Sequence, residues 1–582
     1  MKKSAMRLMF AGLLLAFTMT PTLACADWVE ESNANTLQVM EAQARLSPES
    51  FSSLGIESVD GEVMDLGPDL YERAQAATKD LIAALEERKT TTENPRVLQD
   101  LDILIKSLKE QIRTNELEHK YLLPYFNLSQ TLYFGFRSLL DPRNDPARFP
   151  AALDRLKKYT GQAEEYRPLT DLARDRSSER FAVPGLLGPY QGELEKDLGN
   201  VEQFKAGLNK VFTESGLEGW EEDLALLTGQ LDTYAEWIKQ EIVPRGREDY
   251  RLPEELYADN LKNYGVDMDP RELIRMAQLG FADIQMQMQS ISAQIAKQRG
   301  YASADYRVVM AELGKERIPE EEVLDYYRNI LKELETIIRD NELVTLPDRE
   351  AAIRLATEAE SAAAPVPFLS PPQLIGNTGQ QGEFVLVTHS PNEEDGGEVS
   401  DFGSPASTWS LTAHEARPGH EMQFASMVES GISQARVIYA FNSANVEGWG
   451  LYSEAIMQQY LSPEAQLFGL KARLMRAARA FLDPMLNLGM IEKEQAMELI
   501  TQDVGISKTL ASQEINRYTF RAPGQATSYY YGYMNLMSLR AEVELRMRDR
   551  FNQRAYHDFL LQQGLLPPDI LRQAVLSEFV PQ

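Results

Sequence analysis

The chain has 582 residues, 43% hydrophobic and 25% charged, with 88 acidic against 59 basic residues and a net charge of −29. That length suits about two to four domain-sized units. That charge argues against nucleic acid and anionic membrane as partners, because both need clustered Lys and Arg; it reads as a soluble, self-repelling surface, with attraction of cationic peptides as the functional alternative.

Residues 1–26 have the form of a targeting signal. Lys2, Lys3 and Arg7 precede the apolar run Leu8–Phe17, which is too short to span a bilayer; Pro21 follows, then Ala24-Cys25-Ala26 as a small-residue cleavage site before Asp27. The expectation is an exported protein, periplasmic or secreted, and no later stretch is long and apolar enough to be a membrane span. Cys25 is the only cysteine, so no disulfide can form within the chain. Cleavage after Ala26 removes it. In the alternative, Cys25 is the lipidated first residue of a lipoprotein, although Thr22 and Leu23 are untypical neighbours for that modification.

Beyond the signal the chain reads as mainly α. Leu98, Leu101, Ile105, Leu108 and Ile112 recur every three or four residues and predict a helix over 95–125. Pro244, Gly246 and Pro253 interrupt the helical pattern near 244–254 and divide an N-terminal helical region, 27–250, from a region 251–582 that carries the chemistry. Asp269-Pro270 with Glu272 opens a helix predicted over 270–298. Pro319 and three glutamates open another over 319–340. An irregular stretch, Ser361–Gly382, precedes the best strand signal, Phe384–His389. A Gly-, Asp- and Ser-rich loop is expected from Pro391 to Ser407. Helices are expected again over 443–461, 464–483 and 523–549.

Between loop and helices lies His414-Glu415-Ala416-Arg417-Pro418-Gly419-His420, which holds two of the five histidines. Two imidazoles and a carboxylate suit zinc, but the familiar spacing is His-Glu-x-x-His, with both ligands on one helix face. Six residues apart on an unbroken helix, the rings would point about 120° apart. Pro418 cannot sit undisturbed inside a helix, and Gly419 relaxes the backbone further. The pair therefore predicts a local break that could return His420 to the side of His414. Glu447, 27 residues downstream of His420, could complete a site of two histidines and one glutamate and leave a position open for water. Glu415 would then take the proton of that water. Glu454 shares a helix face with Glu447 and could orient a histidine. The competing reading is two surface histidines beside a helix that buries Trp449.

His414–His420 with Gln423, Glu447-Gly448-Trp449 with Tyr452 and Glu454, Glu514–Tyr518, and Pro523–Tyr529 with Gly532 and Leu539-Arg540 together resemble the bacterial family catalogued as domain of unknown function 885. The resemblance spans most of the mature chain. It implies a zinc peptidase of gluzincin type with the motif HExxPGH, similar to the thimet oligopeptidase and angiotensin-converting enzyme clan. The fold it implies is a two-lobed helical shell around a deep cleft, in which Val385–His389 is the sheet edge that takes a peptide by β-addition. It also implies His414, His420 and Glu447 as zinc ligands, Glu415 as general base, and Tyr529 as a donor to the oxyanion. For Tyr529 core packing is an equal alternative; for Tyr530 and Tyr531 it is the preferred one. Arg517, Arg521 and Arg540 are candidates to hold a substrate carboxylate, against the alternative of a solvated helix face. Asn487 stands where the family pattern has a histidine. That departure raises a second expectation: a peptide-binding envelope scaffold of the same fold that has lost turnover.

Overall fold

Sustained 3.6-residue patterning becomes helix throughout the computed structural model of the chain, which describes residues 22–357, 360–361, 366–377, 379–387 and 403–581. Of the targeting segment, residues 1–21 lie outside the described residues; from Thr22 the backbone is already helical, to Ala44.

Helix α1 (Pro95–Tyr121) starts where Asn94 accepts a hydrogen bond from the Arg96 N–H, and it buries Val97, Leu101, Leu104, Ile105 and Leu108 along one stripe. It ends short of the predicted 125, before Pro124. Helix α2 (Pro270–Arg299) is capped by Asp269 and stopped by Gly300 at φ 71°. Helix α3 (Val323–Asp340) follows a single 3₁₀ turn, Glu320–Glu322, instead of starting at Pro319.

Three strands follow: β1 (Ala352–Leu355), β2 (Phe368–Ser370) and β3 (Glu383–Leu386), in the order β1-β3-β2. β1 runs parallel to β3, with Ala352 opposite Glu383, and β2 runs antiparallel, with Phe368 opposite Val385. The predicted strand is therefore central and cannot be a sheet edge. Its continuous apolar run reflects burial: Phe384 and Leu386 pack with Tyr327 and Leu331 of α3 and with Ala416. The strand ends at Leu386; Thr388 and His389 lie outside the described residues. Among the described residues the edge strand on the antiparallel side is β2, which lies inside the predicted irregular stretch. Three residues set among Pro367, Pro371 and Pro372 are too few to show a period of two.

Of the predicted loop, residues 391–402 lie outside the described residues. Pro405–Ser407 already belong to helix α4 (Pro405–Glu415), whose N-cap Ser404 accepts from the Ser407 N–H. Helix α5 (His420–Glu429) comes next, then α6 (Ser443–Met457), α7 (Pro463–Asn487), α8 (Lys508–Asn516) and α9 (Ser528–Met547). α6 stops before the predicted 461 and hands over to a 3₁₀ turn, Gln458–Tyr460. α7 outruns its predicted end and carries Pro484 in its last turn. α9 starts later than predicted, because Gly524 turns the chain at φ 94° and Gln525–Thr527 form a 3₁₀ turn first.

Helices α6 and α9 touch backbone to backbone. A Cβ on Gly448 would lie 2.7 Å from Gly532, and one on Gly532 would lie 1.9 Å from the Ala444 carbonyl oxygen. Glycine at both positions is what permits this approach. The largest apolar cluster takes Ile103 and then members from Tyr250 to Val580, while a second draws its buried members from Leu66 to Ile242. Between them the helical run is interrupted, from the short turn Val243–Arg245 to Glu254. Among the described residues no helix is long and apolar enough to cross a membrane.

Candidate metal centre

The chain leaves the helix between Glu415 and His420. Ala416 adopts φ −102° and ψ −105°, the Arg417–Pro418 peptide is cis, and Gly419 adopts φ −78° and ψ −132°. This jog brings the imidazoles of His414 and His420 to 4.7 Å between centroids, edge to face. Gly419 crosses the end of α4 so closely that a Cβ there would sit 1.9 Å from the His414 carbonyl oxygen. The jog is pinned from both sides. Trp449 of α6 donates its indole N–H to the Pro418 carbonyl at 2.9 Å. Arg417, fully buried, donates to Glu421 at 2.8 Å, to Glu335 of α3 at 2.6 Å and to the Arg349 carbonyl at 2.9 Å. Arg349 in turn reaches Glu421 at 2.8 Å.

His414, the penultimate residue of α4, His420, the first of α5, and Glu447 of α6 converge, with ligand atoms all within 4.8 Å of one another. Glu447 Oε2 is 3.5 Å from Nε2 of His414 and 3.5 Å from Nε2 of His420. Ligand atoms of a tetrahedral zinc with bonds of about 2.0–2.2 Å lie about 3.4 Å apart, so the spacing fits the ion. The second nitrogen of His414, Nδ1, is 2.7 Å from Glu454 Oε1. The other oxygen of Glu454 accepts a hydrogen bond from Ser410. That carboxylate fixes Nδ1 as the protonated nitrogen and turns the Nε2 lone pair toward Glu447 and His420. Gly450 makes room for the ring, since a Cβ there would lie 2.6 Å from His414 Cε1. Nδ1 of His420 is buried and has no hydrogen-bond partner among the described residues.

The electrostatics are those of a buried, anion-rich cluster. Burial, the largest influence on Glu447, pushes its carboxyl up, but the adjacent His414 and His420 imidazoles outweigh this and hold it well below the usual range. Burial likewise favours neutral His414, yet Glu447 and Glu454 reverse the direction and push it up to about 9. This excess of carboxylate over cation is the imbalance that a divalent ion would neutralise. Glu415 lies beside the cluster with its carboxyl pushed up by burial, against the opposing pull of His414 and His420. A carboxyl raised by a dry environment is suited to exchange protons nearer neutrality.

The cluster opens into a cavity of about 690 Å³. One wall is apolar, with Phe368 and Leu369 of β2, Phe424, Phe441 and Val446. The other is α7 with the chain after it, and presents Lys471, Arg476, Arg479, Arg517 and Arg521. Tyr529 faces this cavity. Its hydroxyl receives a hydrogen bond from Arg517 at 3.0 Å, and the guanidinium groups of Arg479 and Arg517 lie 4.8 and 5.1 Å from its ring centroid. Tyr530 and Tyr531 are buried in apolar clusters. The three candidate arginines divide. Arg517 and Arg521 line the cavity, whereas Arg540 is turned away, donating to Glu544, Tyr452 and Gln553.

Asn487 is not among the residues that line the cavity. It is buried in the last turn of α7, where its amide donates to the Asp483 carbonyl and carboxylate and to the Tyr518 carbonyl. Asp483 also accepts from the Gly524 N–H at 3.0 Å, so this group ties down the turn that leads into Tyr529. Arg417, Glu421, Ser410, Arg476 and the bidentate pair Arg479–Glu514 escape a reading of the sequence. The available signal was a run of arginines on the otherwise buried helix α7.

The family model described as bacterial protein of unknown function (DUF885) matches residues 48–575. No curated protein matches the chain. Two solved structures share the fold. One, described as a candidate lipoprotein of unknown function from Shewanella oneidensis, is 19% identical with a TM-score of 0.76, covering 94% of this chain and 100% of that one. The other, described as a candidate lipoprotein from Colwellia psychrerythraea, is 17% identical with a TM-score of 0.76, covering 94% and 98%.

Proposed function

The chain belongs to the bacterial family DUF885, and from that premise we propose that it is an exported zinc-dependent peptidase of gluzincin type, acting on short peptides inside a helical shell. The observation that carries this reading is the convergence of His414, His420 and Glu447 at ligand spacing, with Glu454 holding the far side of His414. The three side chains would hold the ion. When bound, zinc would supply Lewis acidity toward a carbonyl oxygen and make water more acidic.

The remaining steps belong to the chain's own residues. Glu415 takes the proton of the attacking water and delivers it to the departing amine. Tyr529 donates its O–H to the oxygen that becomes anionic, and the hydrogen bond from Arg517 makes the phenol a stronger donor. The apolar wall excludes water and receives a side chain. β2, an edge strand among the described residues, offers backbone groups to an extended peptide, the role first assigned to Val385–His389. The scaffold alternative drew on Asn487, whose side chain lies outside the cavity. Lipid attachment at Cys25 stays with this proposal as the alternative to free export.

The test is Glu415→Gln in purified protein, with metal analysis and digestion of a peptide library. About one equivalent of zinc should remain, and hydrolysis should fall by ~10²–10⁴. Full activity in the variant, or wild-type protein without zinc, would overturn the reading.

A further inference from the structure

The chain as a whole is strongly acidic, at −29, yet its main cavity is not. Among the described residues, five basic side chains and four acidic ones line it. A divalent ion held by the triad would make that pocket a cationic site in an anionic protein, so it should attract a negatively charged ligand.

Most of the basic groups are already satisfied. Arg479 spends its fork on Glu514, and Arg517 is held by Gln525 and Tyr529. Arg476 is different. Its side chain is 18% exposed and, among the described residues, its Nε has no hydrogen-bond partner and its Nη1 donates only to the Ala472 carbonyl of its own helix. The nearest carboxylate, Glu454, is 3.9 Å from Nη2 and already accepts from His414 and Ser410. A guanidinium so nearly removed from water needs an anion of matching fork geometry.

Resting on the peptidase reading, we propose that Arg476 binds the free α-carboxylate of the substrate, which makes the protein a carboxypeptidase that releases short C-terminal fragments. Distance sets the fragment length. Two steps, 3.9 Å to Glu454 and 2.7 Å on to His414, separate Arg476 from a metal-binding imidazole. An extended chain rises ~3.3 Å per residue, so a carboxylate at Arg476 belongs to a residue within about three of the reacting bond.

The proposal is tested by binding and by cleavage, so that its failure differs from that of the peptidase reading. One peptide is made as the free acid, as the C-terminal amide and as the N-acetyl form. Each is titrated calorimetrically into the zinc-loaded Glu415→Gln protein, with and without Arg476→Gln. The free acid and the N-acetyl acid should bind at least about tenfold more tightly than the amide, the scale of a charge-assisted pair. Arg476→Gln should erase the difference, and Arg476→Lys should restore part of it. In active protein the fragments released should be one to three residues long. Equal binding of acid and amide overturns the proposal, as does a preference that survives Arg476→Gln. Tight, Arg476-dependent binding without hydrolysis in otherwise wild-type protein leaves the anchor standing as a carboxylate-binding site and overturns the peptidase reading alone.

Discussion

The same short break in the helix has two sides that are built in opposite ways. On one side Arg417 and Glu421 are buried, and their charges are matched by Glu335 and Arg349. On the other side His414, His420 and Glu447 meet at distances too long for good hydrogen bonds, with carboxylate in excess. A network whose charges are paired specifies geometry; one with carboxylate in excess is left with capacity for a ligand. Charges taken largely out of water on both sides thus yield a strut on one face and a binding site on the other, because the decisive quantity is the pairing of each charge.

The comparison breaks most visibly through its structural side. Arg417→Met should cost about 3 kcal/mol, since Glu335 and Glu421 keep only Arg339 and Arg349 as partners. Denaturant unfolding of the zinc-free protein reads this, and a loss under about 1 kcal/mol would show that the strut is not held by charge pairing. On the binding side, Glu454→Gln should weaken zinc affinity about 10–100-fold, because it removes the carboxylate that orients His414. Competition with a calibrated chelator measures it; unchanged affinity would remove Glu454 from the site. The smallest expected effect is at Asn487→His, which introduces the residue that the family resemblance implies there. That change should lower stability through crowding of a buried site while leaving kcat/KM per folded molecule unaltered. A rise in kcat/KM would place position 487 in the chemistry after all.

Much of this site was legible because its determinants are local. The His-Glu pair, the Pro-Gly break and the Glu447–Glu454 spacing of two helical turns are all short-range patterns, and each lies where helix geometry puts it. The prolines show the limit of such reading. Pro418 and Pro484 both follow helical runs, yet only the first ends its helix. Pro484 sits in the last turn of α7, and the helix runs on through it to Asn487. The sheet was misjudged for a related reason. A continuous apolar run marks burial, and a strand buried on both flanks is central, so Val385 could not also lie on an edge.

From its sequence alone this protein is a mainly helical chain with a candidate zinc motif and a carboxylate as its third ligand, since amphipathic period, capping and ligand chemistry are properties of neighbouring residues. Tertiary structure decided which strand is central in the sheet, that Arg417 supports the break, that Asn487 stands apart from the cavity, and that Arg476 faces it. Those facts depend on which distant segments pack against one another, a non-local outcome that no window of sequence contains.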